Sequence, residues 1–347
     1  MAQSTLWERV CADGLTTLAV MGMTKNTGKT VTLNHVMASA AQSAVALGVT
    51  SIGRDGEERD QVFSFPKPPV KVWPGTLVAT ARDTLVRAKV RTQVVCSTGL
   101  GSPMGEIVIV RALDAGDMEI AGASRSTDLI ALIRQLKQCG CTLVILDGAL
   151  GRSHHASPAI ADGVILATGA AIGGGIPDVI RKTRDRLAIL GIAQAPSDLV
   201  ARCDAVFSSG GVGVWDRNGN VLLKEQIPTL TAASRLIALV DHGVGTIAVS
   251  GAVGRSLWRA VQALAEHNAQ LTLVVADGTR LFVDQMDLTA FAQQGGTVAA
   301  YCGIRISAVT LNPFSPMGGH FEAREFLEAA RSAFPEYDVS DVVLAEI

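Results

Sequence analysis

The residues best suited to chemistry form one short segment, Gly22-Met-Thr-Lys-Asn-Thr-Gly-Lys-Thr30. It follows the apolar run 18–21, and from Lys29 onward apolar residues recur with helical spacing at Val31, Leu33, Val36 and Met37. A strand, a glycine loop and a helix start in that order make an anion site, because the first turn of a helix has unsatisfied N–H groups and a partial positive charge. Gly28 lets the backbone approach a phosphate closely. Lys29 brings a fixed charge to the β and γ phosphates, and the Thr30 hydroxyl is a ligand for Mg²⁺. Gly22, Lys25, Asn26 and Thr27 complete the cradle. The segment predicts binding of a nucleoside triphosphate with Mg²⁺, ATP first and GTP as the alternative. It departs from the usual Gly-x-x-x-x-Gly-Lys-Ser/Thr spacing, since five residues separate Gly22 from Gly28 and Met23 stands where the first glycine is expected.

Such a site needs acids to hold the metal and position water. Asp147 closes the apolar run 143–146 and is the first candidate. Asp55, in Ser51-Ile-Gly-Arg-Asp55-Gly-Glu57, is the second, with Glu57 behind it. The expected catalytic set is Lys29, Asp147 and Asp55, and the expected metal ligands are Thr30, Asp147 and Asp55. Asn312 ends a late apolar run and precedes Pro-Phe-Ser-Pro316; an amide there matches the donor and acceptor edge of adenine. No Asn-Lys-x-Asp motif for guanine follows that run. Thr168 ends another run and is a weaker nucleotide contact. His154 and His155, with Arg152, read as an exposed loop.

The elements that would position these residues are visible as short apolar runs at 18–21, 49–52, 94–96, 143–146, 164–167, 247–249, 271–275 and 306–311, with helical patterns between them. Runs apolar throughout point to parallel strands covered on both faces. The expected fold class is α/β, a mostly parallel sheet with helices on both faces and two β-hairpin excursions. One hairpin is expected around Asp114-Ala-Gly-Asp117, joining 107–110 to 118–121. The other is expected around Asp216-Arg-Asn-Gly-Asn220. A nucleotide-binding core is expected over 1–203 and a C-terminal α/β half over 204–347, continuing the same sheet or packed on it. Gly148-Ala-Leu-Gly-Arg-Ser153 is echoed by Gly251-Ala-Val-Gly-Arg-Ser256, through duplication or shared turn chemistry.

Composition excludes several classes. The 347 residues are 48% hydrophobic and 18% charged, enough to bury a large core. Thirty basic against 32 acidic residues leave a net charge of −2, which provides no field for nucleic acid or an anionic membrane. The basic group Arg181, Lys182, Arg184 and Arg186 reads as a solvated helix face. Mean hydropathy is high, +0.32, yet the uncharged stretch 163–177 is too short and glycine-rich to span a bilayer. It reads as a buried strand and a loop. No secretory leader is evident. The six cysteines, Cys11, Cys96, Cys139, Cys141, Cys203 and Cys302, show no metal or redox spacing and are expected reduced and buried, in a cytoplasmic protein.

In its glycine spacing the phosphate segment resembles the loops of dethiobiotin synthetase and its relatives, and it also resembles the Lys-Asn-Ser-Gly-Lys-Thr loop of molybdopterin-cofactor nucleotide-binding proteins. Both are P-loop NTPases of the class that includes nitrogenase iron protein and the division-site ATPases. In some members an additional loop lysine, here Lys25, reaches nucleotide across a homodimer. Together with Gly53-Arg-Asp-Gly-Glu57, Leu146-Asp-Gly-Ala-Leu150, Ile165-Leu-Ala-Thr-Gly-Ala170 and Asn312-Pro-Phe-Ser-Pro316, the segment is similar to the lysine 5,6-aminomutase reactivase subunit of lysine-fermenting bacteria. That resemblance implies a chaperone of lysine degradation. It would act with a second, MutS-like ATPase subunit and use ATP to exchange damaged cobalamin in an aminomutase dependent on adenosylcobalamin and pyridoxal phosphate. A biosynthetic ligase of the dethiobiotin synthetase type, or a nucleotide-gated scaffold, are the alternatives.

Overall fold

A computed structural model describes residues 5–43, 45–52, 69–148, 157–316 and 318–343. The strands are β1 (Thr17–Gly22), β2 (Leu47–Ser51), β3 (Val70–Val72), β4 (Leu77–Ala81), β5 (Thr92–Ser102), β6 (Gly105–Ala112), β7 (Gly116–Met118), β8 (Leu143–Asp147), β9 (Gly163–Gly169), β10 (Val212–Asp216), β11 (Val221–Glu225), β12 (Val244–Val249), β13 (Thr272–Val275), β14 (Thr297–Ala300), β15 (Ile306–Asn312) and β16 (Val339–Asp341). The helices are α1 (Leu6–Ala12), α2 (Lys29–Ala41), α3 (Ser126–Gln138), α4 (Ile176–Leu190), α5 (Ser197–Ser209), α6 (Thr229–Ile237), α7 (Arg255–His267), α8 (Gln285–Gln293) and α9 (Ala323–Ala333).

The fold is α/β around a mostly parallel nine-stranded sheet, ordered β16-β15-β9-β1-β8-β2-β4-β6-β5. From β16 to β4 every pairing is parallel; β6 and β5 add an antiparallel edge. Side chains alternate across each strand. Leu18 and Val20 of β1, with Leu47 and Val49 of β2, join Leu33, Val36 and Met37 of α2 and Leu6 and Val10 of α1 in one core. Gly48 turns the other way, where its missing Cβ leaves room for Leu136 of α3 and Cys141. Helices therefore cover both faces, which is why these strands are apolar without interruption. Each Leu or Val fully buried there contributes roughly 1.5–3 kcal/mol.

The chain divides into two compact units, residues 1–183 with 305–347, and residues 184–304, and the division falls within α4. This differs from the expected boundary at 204. Strand β15 pairs with β9, Val309 beside Leu166, and so returns to the first sheet. Strands β10 to β14 form a sheet of their own, ordered β11-β10-β12-β13-β14, in which β12, β13 and β14 are parallel. Its core gathers Trp258, Val261 and Leu264 of α7 against Ile247, Val249 and Leu273. The glycine echo at 251–254 is the loop from β12 to α7; most of the first copy lies outside the described residues.

Two further expectations need correction. Strands β6 and β7 do not form a hairpin. Strand β6 turns back on β5 through Ser102-Pro-Met-Gly105, where Gly105 has φ +93° and the Ser102 hydroxyl donates to Gly105 O at 2.8 Å. Strand β7 pairs with β3 instead, and Asp114 holds Arg91 at 2.7 Å. The run 94–96 is thus an antiparallel edge strand, with Val94 60% exposed, and not a buried parallel one. The second hairpin, β10 with β11, forms as expected. Asp216 accepts from the Asn218 and Asn220 N–H groups at 2.9 and 2.8 Å, and Gly219 takes φ +87°.

Of the cysteines, only Cys141 and Cys203 are buried, and burial pushes their thiols up to about 12 and about 11. Cys11 and Cys302 are exposed, and the Cys96 and Cys139 sulfurs stand 4.0 Å apart as free thiols. In the basic group, Arg181 and Lys182 each pair with Asp178 at 2.6 Å, but burial pulls Arg186 below its ordinary pKa. No helix among the described residues is long and apolar enough to cross a membrane.

Asp162 ties the start of β1 to the start of β9. Its carboxylate accepts from Thr16 N at 2.9 Å, Thr16 Oγ1 at 2.6 Å and Thr17 N at 2.9 Å. Burial works to raise its pKa, but these donors outweigh burial and hold it below the usual carboxylate value. Asp162→Ala is expected to destabilise the protein by about 1 kcal/mol at neutral pH, because the group is partly solvated. A depressed carboxylate stabilises the fold above its unfolded pKa, about 3.9. The difference from wild type should therefore persist to about pH 4 and shrink as the pH falls further, measured by urea unfolding across pH.

Candidate functional site

The parallel pairings bring the C-terminal ends of β2, β8, β1, β9 and β15 to one edge of the sheet. They end in Ser51, Asp147, Gly22, Gly169 and Asn312. Strand β1 is where the order reverses. The chain goes from β1 to β2 on one side, and later strands β9 and β15 fill the other. A crevice at such a reversal is where open α/β sheets bind ligands.

The loop leaving β1 is held by the backbone of β9 and by the side chain of its own Thr27. Met23 N–H donates to Ala167 O of β9 at 2.9 Å, and the Thr27 hydroxyl donates back to Thr24 O at 2.9 Å. Asn26 has φ +64° and Gly28 φ +90°, so the loop passes twice through the left-handed region. Helix α2 then starts at Lys29 with Gly28 as its N-cap, and no side chain caps its first turn. Thr32 N–H returns to Gly28 O at 2.8 Å. Thr27 and Thr30 are buried, while Thr24, Lys25 and Asn26 are exposed.

Lys29 and Asp147 meet. Strands β1 and β8 are neighbours, with Val20 opposite Asp147. The Lys29 Nζ lies 3.6 Å from Asp147 Oδ1, with side chains 15% and 3% exposed. At that distance the contact is an ion pair longer than a hydrogen bond. The Asp147 backbone is fixed as well, because its carbonyl accepts from Ile52 N–H at 2.7 Å. The next residue, Gly148, takes φ +116° and turns the chain off the strand. The arrangement sets a cation at a helix start and a buried carboxylate beside it. A metal-bound polyphosphate requires both charges. Mg²⁺ takes only one or two carboxylates from protein when phosphates supply other ligands. Asp147 and Thr30 are donors of the right kind. The described residues contain no group of three or more His, Cys, Asp or Glu placed to hold an ion without a ligand.

Asn312 reaches the same loop, on the side opposite Asp147. Its Nδ2 donates to Asn26 O at 3.3 Å, and its Oδ1 accepts from Phe314 N–H at 3.1 Å. Two glycines make room for it. A Cβ on Gly28 would stand 2.7 Å from Asn312 Cβ, and one on Gly169 would stand 3.0 Å from the same atom and closer still to Asn312 O. Gly169 is not among the site residues expected from the sequence. Its signals are a glycine ending an apolar run and its place in the quoted segment 165–170, and its partner is more than 140 residues away. Thr168 is fully buried, and its hydroxyl shares a 2.7 Å hydrogen bond with Thr183 of α4, so that hydroxyl is already engaged inside the core. Asp55, Glu57, Arg152, His154 and His155 lie outside the described residues.

No profile of a known protein family matches the chain, and no curated protein matches it.

Gly28→Ala is expected to destabilise the protein by about 1–3 kcal/mol, since it combines a left-handed backbone with a Cβ collision. In an Asn312→Gly background only the backbone cost remains, and the penalty should fall by about half. A double-mutant cycle in urea checks this; equal penalties in both backgrounds would mean that the Gly28–Asn312 contact carries no energy.

Proposed function

We propose that this chain is a Mg-ATP-binding protein of the P-loop type. The observation that carries the reading is the 3.6 Å meeting of Lys29 with buried Asp147, beside a helix entered through left-handed Gly28. In this reading the N–H groups of residues 25–30 and the Lys29 ammonium hold the β and γ phosphates. Thr30 and Asp147 would hold Mg²⁺, with Asp55 the further carboxylate expected from the sequence. With Lys29 beside the phosphates and Asp147 beside the metal, neither charge would be left alone in a buried site. Mg²⁺, when bound, supplies charge neutralisation at the phosphates. ATP is favoured over GTP because the chain after β15 has neither the Lys beside the Asn nor the acid that guanine recognition uses.

The wider proposal is a reactivating subunit for the cobalamin- and pyridoxal-phosphate-dependent lysine 5,6-aminomutase, acting with a MutS-like ATPase partner in lysine degradation. The resemblance of the five segments quoted above supports it. Four of those segments stand at the ends of β1, β8, β9 and β15, where ATP would be felt. No residue is assigned to cobalamin or pyridoxal phosphate.

Lys29→Ala is expected to lower Mg-ATP affinity by about ten- to a hundredfold, the value of a charge-assisted contact. Asp147→Asn should leave binding detectable and reduce Mg²⁺-dependent hydrolysis at least about tenfold. Calorimetric titration with Mg-ATP and Mg-GTP, with circular dichroism to verify folding, measures the first; phosphate release measures the second. Unchanged affinity in a folded Lys29→Ala protein would remove the phosphate site. For the wider proposal, the purified chain should co-elute with lysine 5,6-aminomutase and the second ATPase subunit in a manner that changes on adding ATP. Separate elution with and without ATP would leave a nucleotide-binding protein without this client.

A further inference from the structure

Asn312 stands where a base-reading amide is expected, but both ends of that amide are engaged within the chain. The Nδ2 group donates to the carbonyl of Asn26, inside the phosphate loop, and Oδ1 accepts from Phe314 N–H, inside its own turn. Its Cβ rests in a slot that exists because residues 28 and 169 are glycines. Its backbone is set in the sheet, opposite Gly169 of β9. The side chain is thus anchored at one end by the sheet and grips the loop at the other.

We infer that Asn312 is a positioning residue for the phosphate loop and not the reader of the base. This rests on the phosphate-binding reading above. The physical reason is the strain in the loop. Asn26 lies in the left-handed region, which residues other than glycine seldom adopt, although Asn does so more readily than most. A conformation of that kind persists only when surrounding contacts over-determine it. The bond from Asn312 to the carbonyl of Asn26 and the contact at Gly28 bracket Thr27 and hold the turn in which the N–H groups approach the start of α2. Holding those groups in place before a phosphate arrives removes the cost of ordering them on binding. The cost of losing Asn312 should therefore fall on the polyphosphate, whatever base is attached to it.

The probe that separates the two roles is inorganic triphosphate, which has no base. Wild type, Asn312→Ala and Asn312→Ser are titrated with Mg-triphosphate and with Mg-ATP. Serine keeps an oxygen for the Phe314 turn but cannot span to Asn26, so it guards against loss of the turn in the alanine variant. Both variants should bind both ligands about fivefold more weakly, by the same factor, as expected for one hydrogen bond. Amide hydrogen exchange on the ligand-free proteins should be faster at residues 26–30 in both variants and unchanged in β1. A loss confined to ATP would return Asn312 to base recognition and overturn the inference. Unchanged binding of both ligands, or unchanged exchange in the loop, would also overturn it. Wild type that binds neither triphosphate nor ATP would overturn the phosphate reading itself, a result distinct from any of these.

Discussion

The adjacency of β1 and β8 is the constraint on which the rest of the site depends. Parallel pairing puts Val20 opposite Asp147, so the acid ending β8 lies two residues short of Gly22, where the loop leaves β1, at the same edge of the sheet. A one-residue slip of that register would turn Asp147 from one face of the sheet to the other. Register is held by burial, since Ala19, Val20, Ile145 and Leu146 are fully enclosed. The ion pair of Lys29 with Asp147 is a consequence of the apolar core and not its cause. Buried pairs of this kind contribute little net stability when complete and leave a costly lone charge when broken.

The other side of the loop is governed by steric fit. Gly28 meets two demands, a left-handed backbone and a close neighbour in Asn312. Gly169 meets only the second, because its φ of 170° is ordinary extended backbone. The loop after β1 is thus bounded by charge on the β8 side and by packing on the β15 side. Each boundary comes from a strand paired, directly or through β9, to β1. The late strand β15 reaches the loop although the whole second unit separates it from β9 in sequence.

Much of the fold was legible because it is local. Seven of the eight apolar runs became buried strands, and the Asn218-Gly219 turn formed its hairpin, because strand patterning and turn chemistry are short-range properties. The errors have specific causes. Strand β4, Leu77-Val-Ala-Thr-Ala81, was passed over because two alanines and a threonine dilute its apolar signal, although all five residues are buried. The Asp114-Ala-Gly-Asp117 segment looked like a hairpin turn because its residue types suit one. The flanking strands found other partners, since β4 and β5 offered longer pairings to β6. Arg186 sits in sequence among charged neighbours, but on α4 it is half-buried, one turn from Thr183 and Leu190.

By itself the sequence determined the strand–loop–helix around Gly28, the lysine at the helix start, the acid at the end of β8 and the α/β class. Each follows from residue types within a dozen positions of one another. The tertiary structure decided that β8 lies beside β1, that β15 returns past a whole second unit to β9, and that the Asn312 amide is engaged by Asn26 and Phe314. Those outcomes depend on which distant surfaces bury each other best. A strand's own periodicity states only that it must be buried, and by what is settled when the sheet closes around its helices.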